Sequence, residues 1–183
     1  MDYTDKKTFS HTVQQEQDDF VDAIFSLIVE NESGVLSRVI GLLSGRGYNI
    51  ESLTVAPIDK NGNKSRINIL TSGTPMVINQ IKEQLDRQVS VYEVVNLSTQ
   101  GAYVARELAL IKVVSSGSER AEALTLADAF RAQVVDASVN SLVFELTGKT
   151  QKINAFVDLL RPLGLVELSR TGIAAIARGC QSI

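Results

Sequence analysis

The sequence has very little of what small enzymes commonly use for chemistry. Its 183 residues include one cysteine, Cys180, one histidine, His11, and no tryptophan. One cysteine cannot form an intramolecular disulfide or a thiolate metal cluster. The histidine lies in a polar N-terminal stretch, where order is not expected, so it is a poor candidate for a triad or a metal site. We therefore expect no catalytic residues, no metal site and no cofactor bound by this chain.

The sequence also lacks an excess of basic residues and any long apolar run. Lys and Arg number 18 against 21 Asp and Glu, which gives a net charge of -3. A general nucleic-acid binder carries the opposite balance. No apolar run reaches the roughly 18 residues of a membrane span, and no apolar core of a signal peptide is visible. We expect a cytoplasmic protein with no nucleic-acid or membrane partner.

What is present is the composition of a globular protein preceded by a polar stretch. Hydrophobic residues make up 44% of the chain and charged residues 21%, which is ordinary for folded domains. Residues 1–20 contain few apolar side chains and no helical stripe, so they predict a disordered or loosely docked tail.

Residues 21–98 alternate between strand and helix patterns. A polar turn and a stripe of apolar residues predict a helix from Val35 that ends at Gly45 or Gly47. Thr74 and Pro75 have the chemistry of a helix cap and first position. Strands are predicted at 22–30, 48–57, 65–71 and 89–97, with an Asn-Gly hairpin turn at 59–64.

This order, β-α-β-β-α-β, predicts a ferredoxin-like domain with both helices on one face of an antiparallel sheet. The other face must be covered by something else. Residues 99–183 repeat the order after a junction near 98–104, so we predict an α+β protein of two tandem ferredoxin-like βαββαβ domains. The predicted elements of the second half are strands at 107–115, 133–137, 141–146 and 163–168, helices at 118–130 and 150–160, and a short apolar segment at 172–177.

The turn at residues 31–36, between the first strand and first helix, has the features of an anion site. The first N–H groups of a helix lack internal partners and meet the positive end of the helix dipole. Gly34 leaves room for a ligand near the backbone, and Asn31 offers both a donor and an acceptor. An amino-acid site fits these residues. A helix start capped by Asn31 or Ser33 also fits, and the residues alone favour this second interpretation.

Four runs then resemble a known family. The segments ENESGVLSRVIGL at 30–42 and RGYNIESLTVA at 46–56 resemble the ACT-domain motif of acetolactate synthase (acetohydroxyacid synthase) small subunits. Ser65-Arg66 and RELALIKV at 106–113 continue the resemblance, which covers about residues 22–178. It implies an N-terminal ACT domain at 21–98 and an ACT-like C-terminal domain at 99–183.

The resemblance implies a non-catalytic regulatory subunit. Such subunits bind the large catalytic subunit, raise its activity and confer feedback inhibition by valine in branched-chain amino acid biosynthesis. Thiamine diphosphate, Mg²⁺ and FAD are expected on the catalytic partner. ACT domains of the family pair as a homodimer with the effector between them. The implied effector-binding residues are Asn31, Gly34, Val35 and Leu36 of one domain with Asn49 and Ile50 of its partner.

Two other functions stay open at this point. A free-standing ACT-type amino-acid sensor would keep the same site but act on another enzyme. A small-molecule enzyme on a ferredoxin-like scaffold is a third hypothesis. Two charged positions also have two possible roles each. Arg38 is either a solvated helix residue or an anion-steering one, and Arg106-Glu107 is either a local charge pair or a partner contact.

Overall fold

The chain folds into two halves of the same element order. The computed structural model describes residues 20–180 and 183. The predicted tail, which contains His11, therefore lies outside the described residues except for Phe20. The boundaries 1–20, 21–98 and 99–183 stay predictions, whereas the α+β class and the element order are confirmed.

The N-terminal half is a four-stranded antiparallel sheet with two helices on one face. Strand β1 is central because its alternating apolar residues pack under both helices. It pairs with β3 along its whole length, from Val21 opposite Gly73 to Glu30 opposite Lys64, and the strand order is β2-β3-β1-β4. The elements are β1 (Val21–Glu30), α1 (Val35–Ser44), β2 (Ser52–Pro57), β3 (Lys64–Gly73), α2 (Pro75–Asp86) and β4 (Val91–Asn96).

Local chemistry explains where these elements begin. The predicted cap of α2 is confirmed, since the Thr74 side chain accepts a hydrogen bond from the Val77 N–H and Pro75 is the first helical residue. The predicted cap of α1 is wrong: Gly34 is the N-cap residue and no side chain caps the helix. Strand β2 also begins later than predicted, because Tyr48 and Ile50 pack against the core from a segment that is not a strand.

The C-terminal half repeats this arrangement, with strand order β6-β7-β5-β8. Its core lies between sheet and helices and contains three phenylalanines. The ring of Phe130 is tilted against Phe156 at 5.1 Å between centroids, and the ring of Phe144 meets Phe156 edge-on at 5.9 Å. The elements are β5 (Tyr103–Val114), α3 (Gly117–Phe130), β6 (Gln133–Ala137), β7 (Ser141–Gly148), α4 (Thr150–Leu160), β8 (Leu165–Arg170) and β9 (Ala174–Ala177).

One boundary in this half differs from prediction for a clear reason. The predicted strand at 163–168 begins two residues later, because a 3₁₀ turn at Arg161–Leu163 contains Pro162 and ends at Gly164. Gly164 has φ +93°, and a Cβ there would lie 2.1 Å from the Val114 carbonyl oxygen. The chain can therefore turn into β8 only with glycine at this position.

Strand β5 links the halves. It starts four residues earlier than predicted, and these residues, Tyr103–Arg106, pair with β9 rather than with the C-terminal sheet. The resulting ribbon covers the helix-free face of the N-terminal sheet, as that face required. The apolar contact includes Ile24, Val95 and Leu97 of the first half and Ile173 and Ala175 of the second. Among the described residues, no helix is long and apolar enough to cross a membrane.

Candidate functional site

The turn between β1 and α1 presents an open helix start. Gly34 has φ +87°, the left-handed region that favours glycine, and α1 has no acidic residue in its first turn. The Val35 N–H donates to the Glu32 carbonyl oxygen at 3.3 Å, and no side chain caps the helix, so the next N–H groups stay available at the positive end of the dipole. This geometry suits a small anion such as a carboxylate.

Asn31 is held by the β2–β3 hairpin turn. Its backbone N–H donates to the Asn63 carbonyl oxygen at 2.8 Å, and its Nδ2 donates to the Gly62 carbonyl oxygen at 2.6 Å. Asn31 lies three residues before the N-cap Gly34 and makes no cap bond to α1. Its amide keeps Oδ1 as an acceptor and one N–H of Nδ2 as a donor, so Asn31 can meet either an ammonium or a carboxylate.

Arg38 adds a positive charge to the same turn. A Cβ built on Gly34 would lie 3.5 Å from Nη1 of Arg38, so the guanidinium lies beside the open glycine. Nη2 of Arg38 donates to Oγ of Ser90 at 3.0 Å. The side chain is exposed but directed by this bond, a placement that the sequence pattern alone did not reveal.

The apolar residues of the turn divide into a buried one and an exposed one. Val35 is 2% exposed and belongs to the core, whereas Leu36 is 36% exposed. A ligand at the turn would therefore contact the side chain of Leu36, and would meet Val35 only through its backbone.

The remaining predicted site residues lie elsewhere. Asn49 and Ile50 precede β2, just beyond the C-terminal end of α1. The Asn49 carbonyl oxygen accepts from Oγ1 of Thr71 at 2.6 Å, which leaves its side chain exposed. Helix α1 has ten residues, or about 15 Å at 1.5 Å per residue. One chain therefore does not bring Asn49 and Ile50 to Gly34, and their meeting across two chains stays a prediction.

The junction between the halves contains a partly buried ion pair that the sequence did not predict. Glu107 is 5% exposed and accepts two hydrogen bonds from Arg170, both at 2.7 Å. Hydrogen bonding to Glu107 raises the pKa of Arg170. The expectation of a local Arg106-Glu107 pair is wrong, since Arg106 donates to the Ala105 carbonyl oxygen. The sequence carried no signal for a partner so far along the chain.

Metal binding has no support within the part of the chain that is described. In residues 20–180 and 183, no three His, Cys, Asp or Glu side chains come together in a way that could hold a metal ion. The site is thus built from backbone N–H groups, one amide and one guanidinium.

Comparisons with known proteins agree with one another. A family described as the small subunit of acetolactate synthase matches residues 106–179, and one described as the AHAS small subunit-like ACT domain matches residues 25–93. The acetolactate synthase small subunit of Haemophilus influenzae is 45% identical over 161 residues, which is 87% of this chain and 98% of the relative. The isozyme 3 small subunit of Escherichia coli is 45% identical over 85% of this chain and 95% of its own length.

A solved structure gives the same result for the fold. The crystal structure of the acetolactate synthase small subunit from Thermotoga maritima superposes with a TM-score of 0.80 at 34% identity. The match covers 88% of this chain and 99% of that chain. The similarity therefore includes both halves rather than one domain.

Proposed function

The chain belongs to the acetolactate synthase regulatory small-subunit family, and on that basis we propose that it confers feedback inhibition by valine on the large catalytic subunit. The observation that carries the proposal is the open helix start at Gly34, next to the guanidinium of Arg38. Thiamine diphosphate, Mg²⁺ and FAD would be held by the catalytic partner. Acetolactate synthase belongs to branched-chain amino acid biosynthesis, of which valine is an end product.

Each part of the amino acid has a matching group at the turn. The carboxylate would accept hydrogen bonds from the N–H groups at the start of α1 and face Arg38. The ammonium would donate to Oδ1 of Asn31, whose amide is oriented by the bond from Nδ2 to the Gly62 carbonyl oxygen. The isopropyl group would contact Leu36 and, from a second copy, Ile50. Burying such a side chain contributes about 1.5–3 kcal/mol.

Selectivity for amino acids would come from the polar groups more than from the apolar contact. An unpaired polar group in the site costs as much as the side-chain burial contributes. Branched-chain amino acids differ by only one or two carbon groups, which an apolar pocket separates by about 1–3 kcal/mol.

Two copies are needed to complete the proposed site. Asn49 and Ile50 are separated from Gly34 by the length of α1, so the second group must come from a partner. Strand β2, which follows Ile50 directly, is an edge strand of the N-terminal sheet among the described residues. An edge strand offers unpaired backbone groups to another chain. A homodimer through the ACT domains would use this edge.

The test uses Gly34→Asp with Gly117→Asp as its matched control. Both glycines have left-handed φ values, +87° and +56°, at the start of a helix, and neither has backbone or apolar atoms near an added Cβ. Both variants thus place one new carboxylate at a helix start, in a left-handed backbone position. Gly34→Asp should abolish valine binding in isothermal titration and valine inhibition of the reconstituted complex, because its carboxylate takes the place of the ligand's.

Gly117→Asp should bind valine with wild-type affinity. Inhibition that persists in the Gly34→Asp complex would place the valine site elsewhere. If the isolated wild-type chain gives no heat, the same titration on the complex with the large subunit decides whether the site needs that partner.

A further inference from the structure

The segment between β8 and β9 joins the two halves by direct hydrogen bonds. We call residues 171–173 the connector. The Ile173 N–H donates to Oγ of Ser52 at 2.8 Å, and Oγ1 of Thr54 donates to the Ile173 carbonyl oxygen at 3.1 Å. Both hydroxyls belong to β2, so two side chains of the N-terminal half satisfy both backbone groups of one C-terminal residue.

Gly172 makes this contact possible. It has φ +81°, and a Cβ at this position would lie 2.5 Å from Oγ of Ser52 and 3.5 Å from Cγ2 of Thr54. Any other residue type would force the Ser52 hydroxyl out of its position and would be strained at this φ. The contact is therefore close and specific in geometry, unlike the apolar packing of Ile173 nearby.

The other end of the connector is fixed to the C-terminal sheet. The Thr171 N–H donates to the Leu108 carbonyl oxygen at 3.0 Å, and the Leu108 N–H donates to Oγ1 of Thr171 at 3.1 Å. The preceding residue, Arg170, forms the partly buried pair with Glu107. A displacement of Ile173 would therefore pull on bonds to β5, a central strand of the C-terminal sheet.

The connector borders open space at the surface. Two clefts of about 450 and 400 Å³ lie beside it, and Ile173 lines both. Ser52 follows Ile50 by two residues, so β2 begins directly after one half of the proposed effector site. A shift of Asn49 and Ile50 on ligand binding would reach Ser52 first.

We propose that Ser52 and Thr54 are positioning residues that couple effector binding to the orientation of the C-terminal domain through Ile173. The proposal rests on the proposed function for the identity of the effector. A coupling device needs two connected sites and a structural element between them that both sites can bias. The connector has these properties because it is hydrogen-bonded to the effector domain at Ile173 and to the C-terminal sheet at Thr171.

The test is the double variant Ser52→Ala/Thr54→Val, which removes both hydroxyls with little change of volume. The matched control is Ser138→Ala/Thr125→Val. Oγ of Ser138 accepts one backbone bond at 3.1 Å, and Oγ1 of Thr125 donates one at 3.0 Å, both within the C-terminal half. Valine affinity is measured by titration, and inhibition by assay of the complex with the large subunit.

We expect the double variant to bind valine within about two-fold of wild type but to lose most of its inhibition at saturating valine. The control should keep both properties. A Thr54→Ser chain, which keeps the hydroxyl, should be inhibited more strongly by valine than a Thr54→Val chain. Full inhibition of the double variant would overturn the proposal. A parallel loss of binding would also overturn it, because Ser52 and Thr54 would then belong to the effector site.

A second readout does not depend on valine. Spin labels on Gln80→Cys and Glu122→Cys, both exposed, in a Cys180→Ser background report the distance between α2 and α3. The double variant should broaden this distance distribution and the control should not. If wild type binds no valine either alone or in the complex with the large subunit, the proposed function fails, and this measurement alone decides the proposal. An unchanged distribution would then overturn it.

Discussion

The two halves place their first helix in the same way but finish the turn before it differently. Their strand orders, β2-β3-β1-β4 and β6-β7-β5-β8, correspond strand for strand. In each half the residue after the first strand donates its N–H to the following hairpin turn. Asn31 bonds to Asn63 at 2.8 Å, and Ser115 bonds to Asn140 at 3.0 Å. This hydrogen bond is thus present twice, but the N-cap backbone differs, since Gly34 has φ +87° and Ser116 has φ -138°.

The two turns also differ in their side chains. Helix α1 has no acidic residue in its first turn, whereas α3 has Glu119 there. Arg120, the next residue, donates to the Ser141 carbonyl oxygen at 3.3 Å. A carboxylate at a helix start interacts with the positive end of the helix dipole and repels a second anion there. The fold therefore supplies a location for a site, and the sequence of one turn decides whether it is open.

The sheets also differ in what covers their second face. The ribbon of β5 and β9 packs against the N-terminal sheet, whereas residues on the corresponding face of β5 in the C-terminal sheet, such as Leu110 and Val114, remain 40% and 47% exposed. The C-terminal half consequently depends on the core between its sheet and its helices. A substitution in its phenylalanine cluster should therefore destabilise that half selectively.

The largest effect is expected from Phe156→Ala. Phe156 is fully buried on α4 and contacts both other rings of the cluster. Its truncation should lower the free energy of unfolding by about 3–5 kcal/mol, from lost burial and a residual cavity. Leu159→Ala, on the same helix but 45% exposed, is the control and should cost less than about 1 kcal/mol.

Urea unfolding followed by circular dichroism measures both variants. Valine binding should survive in Phe156→Ala at low temperature, because the proposed effector turn, residues 31–36, lies in the other half. Equal destabilisation by the two substitutions would show that the cluster does not carry the stability of this half.

The next largest effect should come from Glu107→Gln. The change leaves Arg170 partly buried without its carboxylate partner and should cost about 2 kcal/mol in unfolding free energy, reduced by the 30% exposure of the Arg170 side chain. The exposed pair of Lys112 and Glu167 is the control, and Glu167→Gln should leave the unfolding midpoint unchanged. An unchanged midpoint for Glu107→Gln would show that Arg170 finds water instead.

Sequence reasoning succeeded where the determining chemistry is local. Thr74 and Pro75 define the start of α2 by themselves, and the Asn-Gly turn between β2 and β3 needs no distant partner. Gly34, in the proposed effector turn, is recognisable from the sequence for the same reason. These features depend on backbone preferences that a few neighbouring residues express.

It failed where a distant residue decided the outcome. From the sequence Asn31 is a plausible cap for α1, but in the structure its amide donates to Gly62, 31 residues later. Glu107 pairs with Arg170 across 63 residues, and the first part of β5 pairs with β9. Periodicity and capping rules contain no information about such partners. The same applies to Ser52 and Gly172, whose contact exists only because the halves are folded against each other.

A smaller effect is expected at the second helix of each half. Helix α2 is capped by the Thr74 hydroxyl, whereas the N-cap residue of α4, Lys149, makes no side-chain cap bond. Thr74→Ala should therefore lower the unfolding free energy by about 1 kcal/mol, and Lys149→Ala should have no measurable effect. Thermal unfolding of both variants checks this. A similar loss in both would mean that the hydroxyl bond contributes nothing.

The smallest effect concerns the hairpin turn of each half and is a pH effect. In the N-terminal turn the Lys64 N–H donates to the Asp59 carboxylate at 3.0 Å, and this bond holds the pKa of Asp59 below its ordinary value. In the C-terminal turn the Ser141 N–H donates to the hydroxyl of Ser138 at 3.1 Å. Only the first turn contains a group that titrates.

Because the pKa of Asp59 is lower in the folded state, its contribution is fully present above the unfolded pKa and is lost as the pH falls through the folded value. NMR should therefore show the Lys64 amide shifting on acidification below about pH 4. The Asn31 side-chain amide should follow, since it bonds to Gly62 within the same turn. The Ser141 amide should stay constant, and Asp59→Asn should remove the transition at Lys64. An acid transition at Lys64 that persists in Asp59→Asn would assign it to another carboxylate and separate the hairpin turn from the effector turn.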